Sequence, residues 1–377
     1  MKHILVLFGG YSSEHEVSLQ SACAVLTHLD GRKYRPLPVG VTREGRWLYY
    51  PGDPQRLPGG AWQEDPGCVP CTLRLDRGQA ALLLLNGGQA AGESAGWLPG
   101  WGALPIDAAF PVLHGRNGED GTVQGLLELA GVPVIGCETL SSALCMDKDR
   151  AHKLAALAGV RVPRSAAFSA AALPDFPAAG RSGRTPPGLD APLKEAAEEL
   201  GYPLFVKPVR SGSSFGVSRV ERAGDLPAAV EAAFRQDERI LLEEAVPGFE
   251  VGCAVLGNPG GMELTVGAVD EIELSGGLFD FEEKYSLKTS AIHCPARISP
   301  EKAREIQAAA RAVYTALDCR VFARVDFFLT PEGEVVFNEV NTIPGFTAHS
   351  RYPSMMRAAG VDFAALVDRL VELGVEA

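Results

Sequence analysis

The sequence predicts an α/β fold that passes into α+β, arranged in two to three domains. Three observations lead there. Residues 3–8, His-Ile-Leu-Val-Leu-Phe, form an apolar run that stops at Gly9-Gly10 and gives way to an amphipathic stretch from about Glu16 to Leu29. Strand, glycine turn and helix in succession open an α/β unit. The same order returns between Ile106 and Ala130. Near the C terminus, Arg320–Leu329 and Glu334–Asn341 flank Thr330-Pro331-Glu332-Gly333, a hairpin turn signal. The domain count follows from 377 residues at a soft prior of roughly 150 per domain.

Hydrophobic residues make up 46% of the chain and charged residues 22%. That is enough apolar side chain to offset the entropy of ordering, so wholesale disorder is excluded. The net charge of −12 argues against a nucleic-acid backbone or an anionic membrane as partner. No apolar run reaches the ~18 residues of a membrane helix. The opening Met1-Lys2-His3-Ile4 does not read as a signal peptide. The eight cysteines are scattered. Cys23, Cys145 and Cys253 sit in apolar contexts, where cysteine behaves as a small hydrophobe. Cys68 and Cys71 form a lone C-x-x-C without a partner pair or histidine at zinc spacing, and read as loop. A reducing, cytoplasmic compartment is expected.

In chain order, residues 51–68 and 86–105 are rich in Gly and Pro and read as loops. Ile106 to Leu113 is a strand running into the polar glycine loop His114-Gly115-Arg116-Asn117-Gly118-Glu119-Asp120-Gly121. A helix follows from about Thr122 to Ala130, then a strand from Val132 to Ile135. The first ~140 residues thus read as a small α/β domain with parallel strands. A helix spans about Ser141 to Ala158, residues 170–192 form a loop insertion dense in Ala, Pro, Gly and Arg, and 193–200 is helical. Strands are expected over Leu204–Pro208, Ile240–Glu243 and Glu250–Leu256. A mobile flap is expected at 275–291, and a C-terminal helix over about 361–373.

The terminal hairpin carries the strongest chemical signal. Side chains two apart on a strand share a face, so Arg324 and Asp326 point one way, as do Glu339 and Asn341, with Val325, Phe327 and Val340 opposite. Oxygen donors without Cys or His suit Mg²⁺ or Mn²⁺. The competing reading is a solvated salt bridge, which the apolar setting disfavours because charges embedded there need a partner or an ion. Lys207, at a strand end before the Gly/Ser loop 210–216, suits phosphate, although such a loop alone is often a plain turn. Neither a P-loop nor a G-x-G-x-x-G occurs in the chain. Lys148, near a helix start, reads by default as solvated. Glu14 reads either as an acid matching a helix dipole or as a grip on a substrate ammonium.

Together, LFGGYSSEHEVSLQSA, LHGRNGEDGTVQGLLELAGVPVIG, SSALCMDKDRAHK, FVKPVRSGSSFGV, FDFEEKY, ARVDFF and NEVNTIPGFTAHSRYP resemble the D-alanine–D-alanine ligases of the ATP-grasp superfamily. They come in that family's order. EVGCAVLG and SRYPSMM resemble its vancomycin-resistance branch, and within it the D-alanine–D-serine type. The resemblance implies an ATP-grasp fold of three subdomains: an N-terminal α/β domain at 1–140, a central part at 141–245, and a C-terminal part at 246–377 with the metal hairpin and the flap. It implies ATP and two Mg²⁺ (or Mn²⁺), D-alanine with a second D-amino acid as substrates, and a homodimer.

By that resemblance, Lys148 and Lys207 would hold nucleotide phosphates, with Ser214 also in the ATP site. Glu243, Ala245 and Val246 would form the adenine hinge, and Glu250 would hold the ribose. Asp326, Glu339 and Asn341 would bind the metals. Glu14 would hold the first D-alanine's ammonium, in a network with Ser213 and Tyr285. Arg324 and the N–H of Gly345 would meet the oxyanion, and Lys284 on the flap would reach phosphate. His114, Ser350 and Arg351 would line the substrate site. D-alanine-type members often carry an uncharged residue where this chain has Arg351. D-lactate ligases resemble it at Arg351 but lack the Lys284-Tyr285 pair. The competing classes are another ATP-grasp carboxylate–amine ligase, a regulatory nucleotide-binding protein, and a dinucleotide oxidoreductase. The last is disfavoured by the missing glycine fingerprint.

Overall fold

Three sheets carry the fold in the computed structural model, which describes residues 1–85, 101–172, 191–212, 215–261, 263–274, 290–347 and 349–376. The flap apart from its last two residues, most of the insertion at 170–192, and Ser213, Ser214, Lys284 and Tyr285 lie outside the described residues.

The first sheet has the spatial order β6 (Trp101–Pro105), β5 (Ala81–Leu85), β4 (Val69–Arg74), β3 (Trp47–Tyr49), β2 (Tyr34–Val41), β1 (Lys2–Gly9) and β7 (Ala108–Pro111). Only β1 pairs in parallel, with β2 and β7; the four pairings from β2 outward to β6 are antiparallel. The expectation of parallel strands therefore holds only for β2, β1 and β7 at one end of the sheet. β1 and β7 are apolar on both faces because helices cover them. The outer strands are short and border turns, which hid them in the sequence. Residues 101–105 form β6 rather than loop, residues 54–64 contain two 3₁₀ turns, and Val132–Ile135 makes only a single parallel bridge, Val134 to Ala109.

Helix α1 (His15–His28) follows β1, and α2 (Thr122–Leu129) follows the glycine loop. The helix expected at 141–158 is two helices, α3 (Thr139–Met146) and α4 (Lys148–Leu157). Asp147 is extended between them, and its carboxylate caps α4 by accepting from Arg150 N–H. The break places Lys148 at the first turn of a helix, as expected for it.

The second sheet has the order β10 (Ser218–Val220), β9 (Leu204–Pro208), β11 (Arg239–Glu244) and β8 (Ser165–Ser169), backed by α5 (Ala191–Leu200) and α6 (Leu226–Phe234). Residues 245–248 lead directly from β11 into β12 of the third sheet. That sheet runs β14 (Ser290–His293), β13 (Thr265–Leu274), β12 (Phe249–Leu256), β15 (Phe322–Leu329), β16 (Val335–Asn341). Helix α7 (Pro300–Ala316) packs on one face of it, burying Ile306, Val313 and Tyr314 against Val325, Phe327 and Val340. On the other side lie α8 (Arg351–Ala358) and α9 (Phe363–Val375), which share a core with α1 and β1. Phe110, Phe322, Phe346 and Tyr352 meet there edge-on or stacked. This core fixes the N-terminal sheet against the metal-type hairpin and so builds the cleft between them.

Candidate active site

The hairpin β15–β16 opposes Arg324 to Asn341 and Asp326 to Glu339, then slips by one residue so that Phe327 pairs with Phe337. The slip is a β-bulge that leaves Asn338 unpaired in the ladder. It keeps Phe337 in the core while turning Glu339 and Asn341 to the cleft, and the freed Asn338 carbonyl accepts from His152 Nε2 at 2.8 Å. Val325, Phe327 and Val340 face the core as expected.

On the cleft side, Arg324 forks onto Asp326, Nε to Oδ1 at 2.9 Å and Nη2 to Oδ2 at 2.7 Å. The Asn341 amide donates to Asp326 Oδ2 at 2.8 Å, which turns the Asn341 carbonyl oxygen outward. Burial alone would raise the Asp326 carboxyl; Arg324 and Arg351 outweigh it and hold the group below its ordinary range. Asp326, Glu339 and Asn341 offer only oxygen donors, which fits a hard divalent cation.

A cavity of about 370 Å³ opens over this hairpin. Glu14, His114, Lys148, Arg324, Glu339, Asn341, Gly345, Ser350 and Arg351 all line it. Nine of the residues singled out in the sequence thus meet at one place although they span more than 330 positions. Glu14 sits at the N-cap of α1 but makes no side-chain cap bond, so its carboxylate is turned to the cavity rather than serving the helix. Gly115, at φ +72°, leaves room for it: a Cβ there would lie 2.6 Å from Glu14 Oε2. Gly212, next to Ser213, flanks the same carboxylate. Lys148 is not solvated: its Nζ donates to Ser211 O at 2.7 Å and stands 3.6 Å from Glu339 Oε2. Arg239 on β11 clamps the start of α4 by bonding Asp147 and Asp149, each at 2.8 Å. Ser350 starts α8, its Oγ accepting from Thr347 N–H at 2.9 Å.

Lys207 and Glu243 form a buried ion pair on one face of the second sheet, with Ala245 and Val246 half-buried in the link that follows. Glu243 Oε2 and His152 Nδ1 face each other at 4.0 Å, and neither has another partner among the described residues. Burial lowers the pKa of His152.

Glu250 and Arg351 were assigned to different subsites, yet they touch: Arg351 Nη1 donates to Glu250 Oε1 at 2.7 Å. The same guanidinium is held by Asp270 and stands 3.3 Å from Asp326 Oδ1. Sequence reasoning missed Asp270. A signal was present, an acid closing the apolar run Thr-Val-Gly-Ala-Val, akin to the argument used for Asp326, but Glu271 and Glu273 follow it and make the stretch read as an ordinary charged edge. It also missed Glu119, which lines the cavity. Burial, and then Glu14, push the Glu119 carboxyl up to about 8. Cys68 and Cys71 carry no disulfide, and Cys71 lies inside β4 rather than in a loop.

Among the described residues, no helix is long and apolar enough to cross a membrane. Residues 3–137 match the family model "D-ala D-ala ligase N-terminus" and 181–372 match "D-ala D-ala ligase C-terminus". The crystal structure of VanG D-Ala:D-Ser ligase from Enterococcus faecalis superposes with TM-score 0.83 at 48% identity, covering 99% of both chains. A putative D-alanine–D-lactate ligase of Streptomyces coelicolor is 44% identical over 98% of this chain and 96% of its own length. The vancomycin/teicoplanin A-type resistance protein VanA of Enterococcus faecium is 40% identical over 99% and 98%. With both family models matched in order, and a fold and cleft of this geometry, the chain belongs to the D-alanine–D-alanine ligase family of ATP-grasp enzymes.

Proposed function

We propose that this enzyme joins D-alanine to a second D-amino acid, D-serine or another D-alanine, at the expense of ATP, for cell-wall precursor synthesis. The observation that carries the reading is the convergence of Glu14, Lys148, Arg324, Glu339 and Ser350 on one cavity.

The chemistry needs each of these groups. A carboxylate is a poor acyl donor. An oxygen of the D-alanine carboxylate attacks the γ-phosphorus of ATP, ADP leaves, and an acyl phosphate forms. The amine of the second substrate then attacks the acyl carbon, loses a proton and expels phosphate. The first step is mostly positioning and charge neutralisation. Glu14 holds the ammonium of the first D-alanine, in a network with Ser213 and Tyr285, and His114 lines the same pocket. Lys148 and Lys207, with Ser214 and Lys284, serve the phosphates; Glu243, Ala245 and Val246 receive adenine, and Glu250 the ribose. Asp326, Glu339 and Asn341 would hold two Mg²⁺ or Mn²⁺, which supply charge neutralisation to the phosphates.

The second step builds a tetrahedral oxyanion, which preorganised donors stabilise. The N–H of Gly345 is one donor. Arg324 is the other: its fork onto Asp326 uses Nε and Nη2 and leaves Nη1 for the cavity it lines. Ser350 and Arg351 stand on the side of the second substrate. The subdomain limits at 1–140, 141–245 and 246–377, the homodimer and the cytoplasmic location belong to the same proposal.

A second reading, D-lactate as the acceptor, is favoured by the name of the 44% identical relative. The test is phosphate release from ATP and Mg²⁺ with D-alanine alone, then with D-serine or D-lactate added, and identification of the products. D-alanyl-D-serine or D-alanyl-D-alanine supports the main reading. D-alanyl-D-lactate as the dominant product replaces it with the second, and no turnover with any acceptor rejects both.

A further inference from the structure

The segment Ile343-Pro344-Gly345-Phe346 leaves β16 and carries the proposed oxyanion donor. Its own backbone makes no regular ladder there, yet polar groups at both its ends are bonded to side chains of the N-terminal part of the chain. Phe346 N–H donates to Ser21 Oγ at 3.2 Å. Ser21 Oγ lies 3.1 Å from His114 Nε2. His114 Nδ1 lies 2.8 Å from Ile343 O. Ile343 N–H donates to Glu119 Oε1 at 3.2 Å, and the other oxygen of Glu119 accepts from Gly115 N–H at 2.7 Å.

The directions of these bonds are fixed by elementary valence. A carbonyl oxygen only accepts, so His114 Nδ1 carries the proton. Burial lowers the pKa of this histidine and keeps the ring neutral, so Nε2 is an acceptor. Ser21 must then donate its hydroxyl proton to Nε2, which leaves the Ser21 oxygen to accept from Phe346. Every hydrogen in the ring from Phe346 through Ser21 and His114 to Ile343 runs the same way. A chain of this kind is satisfied in one arrangement only and strengthens cooperatively. Ser21, His114 and Phe346 are all buried.

We propose that Ser21 and Glu119 are positioning residues for the oxyanion step: with His114 they clamp Ile343 and Phe346, and so aim the N–H of Gly345 between them. The inference rests on the assignment of Gly345 to the oxyanion. It gives the N-terminal part of the chain a role in the second chemical step, besides holding the first substrate through Glu14. Ser21 contacts the loop and not the cavity, so its effect is indirect.

The experiment separates the two steps. Scrambling of ¹⁸O between the bridging and non-bridging positions of the β-phosphate of ATP, with D-alanine present, reads reversible acyl-phosphate formation; dipeptide release reads both steps. Ser21→Ala loses both hydrogen bonds of its hydroxyl, to Phe346 and to His114, which at ordinary strength predicts a fall of at least about tenfold in dipeptide kcat, with isotope scrambling and KM for ATP within about twofold of wild type. Glu119→Gln can accept from only one of its two N–H partners and should show the same split, and it carries the test if Ser21→Ala does not fold. Equal loss of both readouts, or no loss of either, overturns the clamp. Absence of turnover in the wild type with every acceptor rejects the ligase reading instead, so the two failures are distinguishable.

Discussion

Arg351 and Asp270 meet as a two-point fork, Nε to Oδ2 and Nη2 to Oδ1, both at 2.8 Å. Asp270 is wholly buried and Arg351 nearly so. Breaking such a pair strands a buried charge, a loss of roughly 3–5 kcal/mol. Asp270→Asn should therefore lower the thermal midpoint clearly. It should also raise KM for the second substrate more than KM for ATP, because Arg351 stands at the cavity wall. Steady-state kinetics with each substrate varied in turn checks the split. Equal changes in both KM values would remove Arg351 from the acceptor side.

Gly252 lies on β12 directly beneath that fork. A Cβ there would sit 2.4 Å from Arg351 Nη2, 2.7 Å from Asp326 Oδ1 and 2.8 Å from Asp270 Oδ1. Gly252→Ala must push the guanidinium away from both carboxylates, and strain of this kind in a packed site costs ~1–3 kcal/mol. The expected outcome is a folded protein, by circular dichroism, with turnover reduced at least tenfold. Wild-type kcat in this variant would show that the Arg351 cluster does not set the cavity.

Asp326→Asn and Glu339→Gln address the cation site. Each removes one anionic oxygen donor while preserving shape. Turnover should fall by several orders of magnitude at ordinary Mg²⁺, and fluorescence-detected Mn²⁺ or Mg²⁺ titration should show weakened binding with the thermal midpoint little changed for the partly exposed Glu339. Unaltered cation affinity in both variants sinks the assignment.

His152 gives a pH dependence with a definite sign. Burial sets its folded pKa below the ordinary 6.5. Below that ordinary value the unfolded chain takes up a proton that the folded ring refuses. Stability is therefore full above pH 6.5 and is lost as pH falls through the folded pKa. Urea midpoints for the wild type should drop between pH 7 and pH 5, and drop less in His152→Gln. Parallel curves for the two proteins would show that His152 does not titrate in this range.

The cleft was more legible in the sequence than the sheets. Arg324, Asp326, Glu339 and Asn341 stand out because each is a charge or amide set in an apolar strand, and such residues need a partner, whereas Glu14 and Lys148, in polar stretches, entered the site through the family resemblance. The hairpin register followed from alternation, but the bulge at Asn338 did not, since a one-residue slip leaves no mark in composition. β3 was missed because three residues are too few to show a period, β4 because its Pro and Cys look like turn, and β6 because its neighbours are Gly and Pro. The split at Asp147 was missed because helix periodicity continues across it. Ser21 and Glu119 were invisible as site residues because the loop partners that give them a role, Phe346 and Ile343, lie more than 220 positions away in the chain.

If Arg351 faces the acceptor as proposed, its cluster also constrains how the acceptor preference of this enzyme can change over time. One guanidinium there balances Asp270, Glu250 and Asp326. An uncharged residue at 351, reached first, would leave three acids facing one another with only Arg324 to offset Asp326. Neutralising Asp270 first would break the buried fork and leave the guanidinium to Glu250 and Asp326 alone, which is costly as well. Each single neutralisation is therefore costly, and on the proposed placement of Arg351 beside the acceptor, positions 250, 270 and 351 are expected to change together. A library that varies 250, 270 and 351 together samples the charge-balanced combinations that variation at 351 alone leaves out.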